Sequence, residues 1–252
     1  MLVVFLHEGK IKMIDTILWD IDGTLMNFLE AEKAAIRKCF EIFGIGECSD
    51  EMLSNYSQIN KNYWEALERG EFTKPQILVK RFEDFFDKYC LESKYDNQFN
   101  PEKFNLEYQQ RLGDTVCFYP NSMKILKALE GKVLQCAVTN GTKVAQERKL
   151  LNSGIGKILD YVFISELVGV EKPNKEFFDR VFSKIGENRR ESTIIIGDSL
   201  SSDILGGNNA GIKTCWYNPD KKAKNLDVRV DYEINDLIQV LNIQELKLND
   251  FS

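Results

Sequence analysis

Short apolar runs rich in β-branched residues recur along the chain, at Thr16–Trp19, Val133–Val138, Tyr161–Ile164, Thr193–Ile196 and Lys213–Trp216. Their apolar positions are continuous rather than alternating, which predicts strands buried on both faces, as in a parallel sheet. Helical patterns separate them. After Thr139-Asn140-Gly141-Thr142, the stretch KVAQERKLLNSG predicts a helix closed by Gly154, and NKEFFDRVFSKIG predicts another closed by Gly186. This strand–helix alternation predicts an α/β fold with helices on both faces of the sheet.

Residues 28–115 break the rhythm and are helical by pattern. Within them, QILVKRFEDFFDKY carries Leu78, Phe82, Phe85 and Tyr89 at helical spacing. That one-sided stripe predicts core packing. The expected organisation is one strand, a helical insert, and then the remainder of an α/β domain.

Composition narrows the chemistry. The chain has 252 residues and a net charge of −6, which disfavours non-specific nucleic-acid binding but leaves room for a small phosphorylated substrate. Six cysteines (Cys39, Cys48, Cys90, Cys117, Cys136, Cys215) form no CxxC pair and read as buried free thiols of a cytoplasmic protein. No apolar run approaches the roughly 20 residues a membrane span needs. The first twelve residues, with a short apolar patch but no basic segment or small-residue cleavage site, read as an N-terminal extension, with Met13 an alternative start. The single histidine, His7, lies in that extension. A histidine-based triad would have to recruit it, so acid–base work is expected of carboxylates, lysine or tyrosine.

The polar clusters all follow expected strands. ILWDIDGTL places Asp20 and Asp22 at the end of the first, TNG places Thr139, Asn140 and Gly141 at the end of the second, and Lys172 follows the third after a short loop. Gly197-Asp198-Ser199 ends the fourth, with Asp203 five residues beyond Asp198. Ligands of open parallel sheets bind beyond the carboxyl ends of the strands. Carboxylates one residue apart repel unless something positive sits among them. The set suits a phosphate dianion on Mg²⁺, with Asp20 and Asp198 as metal ligands, Lys172 offsetting phosphoryl charge and Thr139 donating a hydrogen bond. The helix that starts near Thr142 aims its N-terminal N–H groups at the same mouth.

DIDGTL, TNG, EKPNKEFF and GDSLSSDILGGNNAG together resemble the four signature motifs of the haloacid dehalogenase-like (HAD) phosphohydrolase superfamily. The resemblance implies a Rossmann-like parallel sheet of order 5-4-1-2-3 with an inserted α-helical cap domain. The core is then 13–27 and 116–252, the cap 28–115 and the extension 1–12. It implies Asp20 as the nucleophile that becomes an aspartyl-phosphate. Asp22 is implied as general acid–base, with its main-chain carbonyl on Mg²⁺, and Asp198 as a direct metal ligand. Thr139, Asn140, Gly141 and Lys172 hold the phosphoryl group, Ser199 supports the site with a hydroxyl, and Asp203 orients Lys172 or a metal-bound water. Asp22 also separates phosphatases from dehalogenases: a halide leaves without a proton, whereas an alkoxide needs one.

The longer stretches QINKNYWEALERGEFTKPQILVKRF, ISELVGVEKPNKEFFDRVF and GDSLSSDILGGNNAGIKTCWYNP are similar to bacterial pyrimidine 5′-nucleotidases of the YjjG type. That similarity implies hydrolysis of nucleoside monophosphates such as UMP, dUMP and dTMP. The cap segment NKNYW offers Asn60, Lys61, Tyr63 and Trp64, one or two of which are expected to line the base or ribose side; the alternative is that Tyr63 and Trp64 are cap core and Lys61 is solvated. The alternatives are a HAD phosphatase or phosphomutase acting on a sugar phosphate or phosphoglycolate, and a catalytically idle HAD-fold binding module. The expected partner is a small phosphate ester, with neither nucleic acid nor membrane.

Overall fold

The structure, a computed structural model, describes residues 13–94 and 99–246. His7 and the rest of the extension lie outside the described residues. In chain order the elements are β1 (Thr16–Trp19), α1 (Phe28–Phe43), α2 (Asp50–Glu68), α3 (Lys74–Lys88), α4 (Pro101–Asp114), α5 (Ser122–Leu129), β2 (Leu134–Thr139), α6 (Lys143–Ser153), β3 (Tyr161–Ile164), α7 (Ser165–Val168), α8 (Lys175–Ile185), β4 (Thr193–Gly197), α9 (Leu205–Ala210), β5 (Lys213–Tyr217) and β6 (Tyr232–Ile234).

Parallel pairing builds a six-stranded sheet in the order β3-β2-β1-β4-β5-β6. Read from the far edge, this is the expected 5-4-1-2-3 arrangement with one more strand beyond β5. That sixth strand, YEI, is too short and too polar to stand out in the sequence.

Strand periodicity explains why both faces are covered. Ile17 and Trp19 of β1 pack on one side, with Ala137, Ile194, Ile196, Leu126 of α5 and Leu237. Leu18, Cys136, Val138 and Ile195 point to the other, against Phe177, Phe178, Val181 and Phe182 of α8. Cys39, Cys48, Cys136 and Cys215 are buried free thiols, whereas Cys90 is exposed and Cys117 half-buried.

α1 to α4 gather a second apolar cluster around Phe40, Tyr56, Phe82, Phe85, Phe104 and Tyr108. Phe82 and Phe85 bear out the expected packing stripe of α3. Ala145 of α6 also belongs to this cluster, so the helices of 28–114 rest on the helix that follows β2.

Local signals end the elements where the site needs them. The Thr142 hydroxyl caps α6 by accepting from Ala145 N–H, and Gly154 closes that helix in the left-handed conformation. Among the described residues no helix is long and apolar enough to cross a membrane.

Candidate active site

β1 lies between β2 and β4, where the strand order reverses, and this switch point opens a crevice at the carboxyl ends. Trp19 pairs with Ala137 on one side and Ile196 on the other. Asp20 continues the ladder, its N–H donating to Ile196 O at 2.9 Å. Asp20 and Asp198 therefore leave adjacent strands at nearly the same level. Oxygens of Asp20, Asp198 and Asp203 come within 4.8 Å of one another.

Lys172 reaches this cluster from the loop between α7 and α8. Its ammonium donates to Asp20 Oδ1 at 2.9 Å, Asp203 Oδ1 at 2.6 Å and Val138 O at 2.8 Å. Burial alone would push that ammonium down, but the carboxylates of Asp20 and Asp203 outweigh it and raise its pKa. One buried lysine does not neutralise three acids. Burial, and then the neighbouring Asp203 charge, lift Asp20 well above the usual carboxylate range and push Asp198 up to about 7. Asp20 Oδ2 is buried with no hydrogen-bond partner. An orphaned hard oxygen among crowded carboxylates is what a divalent cation with oxygen preference resolves. The donor set therefore fits Mg²⁺.

Gly23 lets Asp198 come this close. Its φ is +97°, and a Cβ there would lie 2.5 Å from Asp198 Oδ1. The Thr24 hydroxyl donates to the same carboxylate at 3.4 Å.

The remaining expected residues divide by location. Thr139 Oγ1 accepts from Gly141 N–H at 3.0 Å, which leaves its own proton for an acceptor in the crevice. The Asn140 side chain is committed to the main chain of Lys172, donating to its carbonyl at 2.8 Å and accepting from its N–H at 2.9 Å. It positions the lysine loop, so any contact with a phosphoryl group falls to its main chain. A Cβ on Gly141 would stand 2.2 Å from the Gln146 amide. Ser199 caps the π-helical turn Leu200–Ile204 by accepting from Ser202 N–H at 3.1 Å. Asp203 Oδ2 accepts from Ser199 N–H at 3.1 Å while Oδ1 holds Lys172, in keeping with an orienting part.

Asp22 faces α6. Gln146 donates to its Oδ2 at 2.6 Å, and the buried Lys149 ammonium pairs with its Oδ1. Sequence reasoning missed both residues. The signal was there: Thr142, Gln146 and Lys149 stand at i, i+4 and i+7 of a helix whose first turn points at the crevice.

All these residues line a cavity of about 190 Å³ or brace its walls. Of the cap residues offered for the substrate, Trp64 lines it. Asn60 does not: it is buried and bonded to Glu32 and Arg81. Tyr63 does not either, because its hydroxyl donates to Asp84 at 2.7 Å and its ring packs on Phe72. Phe28, Glu68, Arg81 and Gln109, which sequence reasoning did not single out, join Trp64 on that side of the cavity.

A family model of haloacid dehalogenase-like hydrolases matches residues 17–217. The chain belongs to that family. It is 34% identical over 238 residues to YfnB of Bacillus subtilis, named as a HAD-hydrolase, covering 92% of this chain and 97% of YfnB. A crystal structure of YfnB bound to magnesium, in which interdomain movement was seen, matches with a TM-score of 0.84 and 32% identity, over 92% of this chain and 99% of YfnB. The pyrimidine 5′-nucleotidase PynA of Streptococcus pneumoniae is 31% identical, across 90% of this chain and 94% of PynA. The pyrimidine 5′-nucleotidase YjjG of Escherichia coli is 30% identical, across 81% of this chain and 86% of YjjG. This HAD hydrolase is thus a phosphoric monoester hydrolase, the class to which the two pyrimidine 5′-nucleotidases belong.

Proposed function

We propose that this hydrolase is a Mg²⁺-dependent phosphatase of nucleoside 5′-monophosphates, a pyrimidine 5′-nucleotidase working through an aspartyl-phosphate on Asp20. The observation that carries the chemistry is Asp20 itself. One of its oxygens is tied to Lys172, the other is buried and unpartnered, and Asp198 stands beside it. Kinship with two pyrimidine 5′-nucleotidases supports the substrate class.

In this reading residues 13–27 and 116–252 form the core and 28–115 the cap. Asp20, Asp198 and the Asp22 carbonyl would hold Mg²⁺, and Asp203 would orient Lys172 or a metal-bound water. The ion supplies charge neutralisation for the nucleophile and the phosphate dianion when bound. Asp20 attacks phosphorus, and the bond to the 5′-oxygen breaks. Protonated Asp22 gives its proton to that leaving oxygen, then takes one from the water that attacks the acyl phosphate. Lys149 and Gln146 hold the Asp22 carboxylate when it is ionised. Thr139 and Lys172 donate to the transferring phosphoryl oxygens, a positioning and charge role that accounts for most phosphoryl-transfer catalysis. The expected setting is the cytoplasm.

Phosphate release from a panel of nucleotides, sugar phosphates and phosphoglycolate, with and without EDTA, tests the reading. Pyrimidine monophosphates are expected to be cleaved best, and EDTA to remove the activity. Preference for a sugar phosphate or phosphoglycolate overturns the substrate. Isomerisation without net phosphate release marks a mutase. Undiminished turnover in EDTA overturns the metal.

A further inference from the structure

Arg81 is a fully buried cation on the cap side of the cavity, and no carboxylate among the described residues pairs with it directly. Its acceptors are neutral: Leu78 O at 3.4 Å, Asn60 Oδ1 at 2.8 Å and Asn105 Oδ1 at 2.9 Å. The guanidinium has five N–H donors. These three bonds leave one hydrogen on each terminal nitrogen. The rings of Phe82 and Tyr108, 4.9 and 5.0 Å away, fix the plane of the fork. Its counter-charge sits one residue removed, since Asn60 donates to the buried Glu32 carboxylate at 2.6 Å while accepting from Arg81. The network therefore carries its own counter-charge, and Arg81, with two uncommitted N–H donors, is among the residues that line the cavity. Gln109 extends it to the core, holding Asn105 at 3.1 Å and accepting from the Thr142 hydroxyl at 2.6 Å.

We infer that Arg81 is a specificity-determining residue that donates to a ring carbonyl of the leaving group, selecting a planar base such as uracil or thymine. The inference rests on the nucleotidase reading and deepens it. Two observations favour a neutral carbonyl over a carboxylate. Lys172 and the cation site among Asp20, Asp198 and Asp203 serve the phosphate, and the cap side of the cavity carries Glu68, so a second anion on the leaving group would meet repulsion there. Glu32 also offsets the Arg81 charge, which leaves directional donors rather than a free cation. Trp64 and Phe28 give the same cavity the flat apolar surface a base requires.

The test compares UMP with ribose 5-phosphate, which keeps the sugar and phosphate but lacks the base, in wild type, Arg81→Gln and Arg81→Lys. Uridine serves as a phosphate-free competitive inhibitor. Loss of a charge-assisted hydrogen bond is worth roughly 10- to 100-fold. Both variants are expected to lose about that much kcat/KM on UMP, mostly through KM, and to bind uridine correspondingly more weakly. The loss on ribose 5-phosphate is expected to stay within a few-fold. Arg81→Lys keeps the charge without the fork, so it guards against a variant that fails only through an unpaired Glu32. Equal losses on the two substrates overturn the inference in favour of a purely structural arginine. Undiminished preference for UMP in folded variants overturns it as well and leaves the nucleotidase reading standing. A wild-type enzyme indifferent to the base sinks both.

Discussion

An Asp20→Asn variant is expected to turn over any phosphate ester on the order of 10⁴-fold more slowly than wild type, or worse. In EDTA near neutral pH it is nonetheless expected to melt at a higher temperature. The first outcome follows from the role proposed for this carboxylate: an amide oxygen does not form the acyl phosphate. The second follows from its surroundings. Burial and the charge of Asp203 raise the Asp20 pKa in the folded state, so the native protein holds this proton more tightly than the unfolded chain does. Stability from this group then falls as pH rises from the ordinary carboxylate range through the raised folded value. Asparagine removes that penalty, and its advantage should shrink in acid, where both states of the parent are protonated. Thermal melts at acid and neutral pH, alongside phosphate release, check the pair. A mutant as active as wild type contradicts the nucleophile. A mutant that melts far below wild type in EDTA contradicts the crowded-carboxylate picture.

Lys172→Met is expected to fail in the opposite way, losing activity and stability together. Lys172 is fully buried and bridges Asp20 to Asp203. Without it two carboxylates face each other in a dry site with no protein cation between them. Removing one partner of a buried ion pair costs about 3–5 kcal/mol. For a chain of this size that lowers the melting midpoint by roughly 10 °C. Added Mg²⁺ should restore part of the loss, and should stabilise this variant more than it stabilises wild type, because a cation among the same oxygens does part of the missing lysine's work. Melts with Mg²⁺ and with EDTA decide the matter. If the variant melts with wild type in EDTA, the lysine does not neutralise the cluster.

Asp20→Asn and Lys172→Met both concern residues that were legible in the chain, and the reason is physical. A strand buried on both faces is a continuous apolar run, so β1, β2, β4 and β5 announced themselves, and the polar residues just past each run had to lie at the sheet's carboxyl edge; β3 was read the same way, but it is the edge strand, and its Tyr161 and Val162 are exposed. What lies along helices was harder to read. Gln146 and Lys149 are ordinary surface residues by composition. They become buried partners of Asp22 only because the cluster built by α1 to α4 settles on α6. Arg81 hides within the aromatic stripe of α3, where one charge among phenylalanines looks like an interruption. Asn60 was noticed for the wrong contact: it holds Arg81 rather than lining the cavity. β6 escaped notice because its burial depends on pairing with β5 rather than on its own three residues.

Chemical trapping during turnover tests the account most directly. The enzyme is quenched while cleaving UMP with Mg²⁺ and treated with borohydride, which reduces an acyl phosphate to the alcohol, and the modified peptide is then located by mass spectrometry. The account predicts reduction at Asp20 alone, dependent on both substrate and metal. An unmodified Asp20 during active turnover, or an acyl phosphate on any other carboxylate, would contradict it.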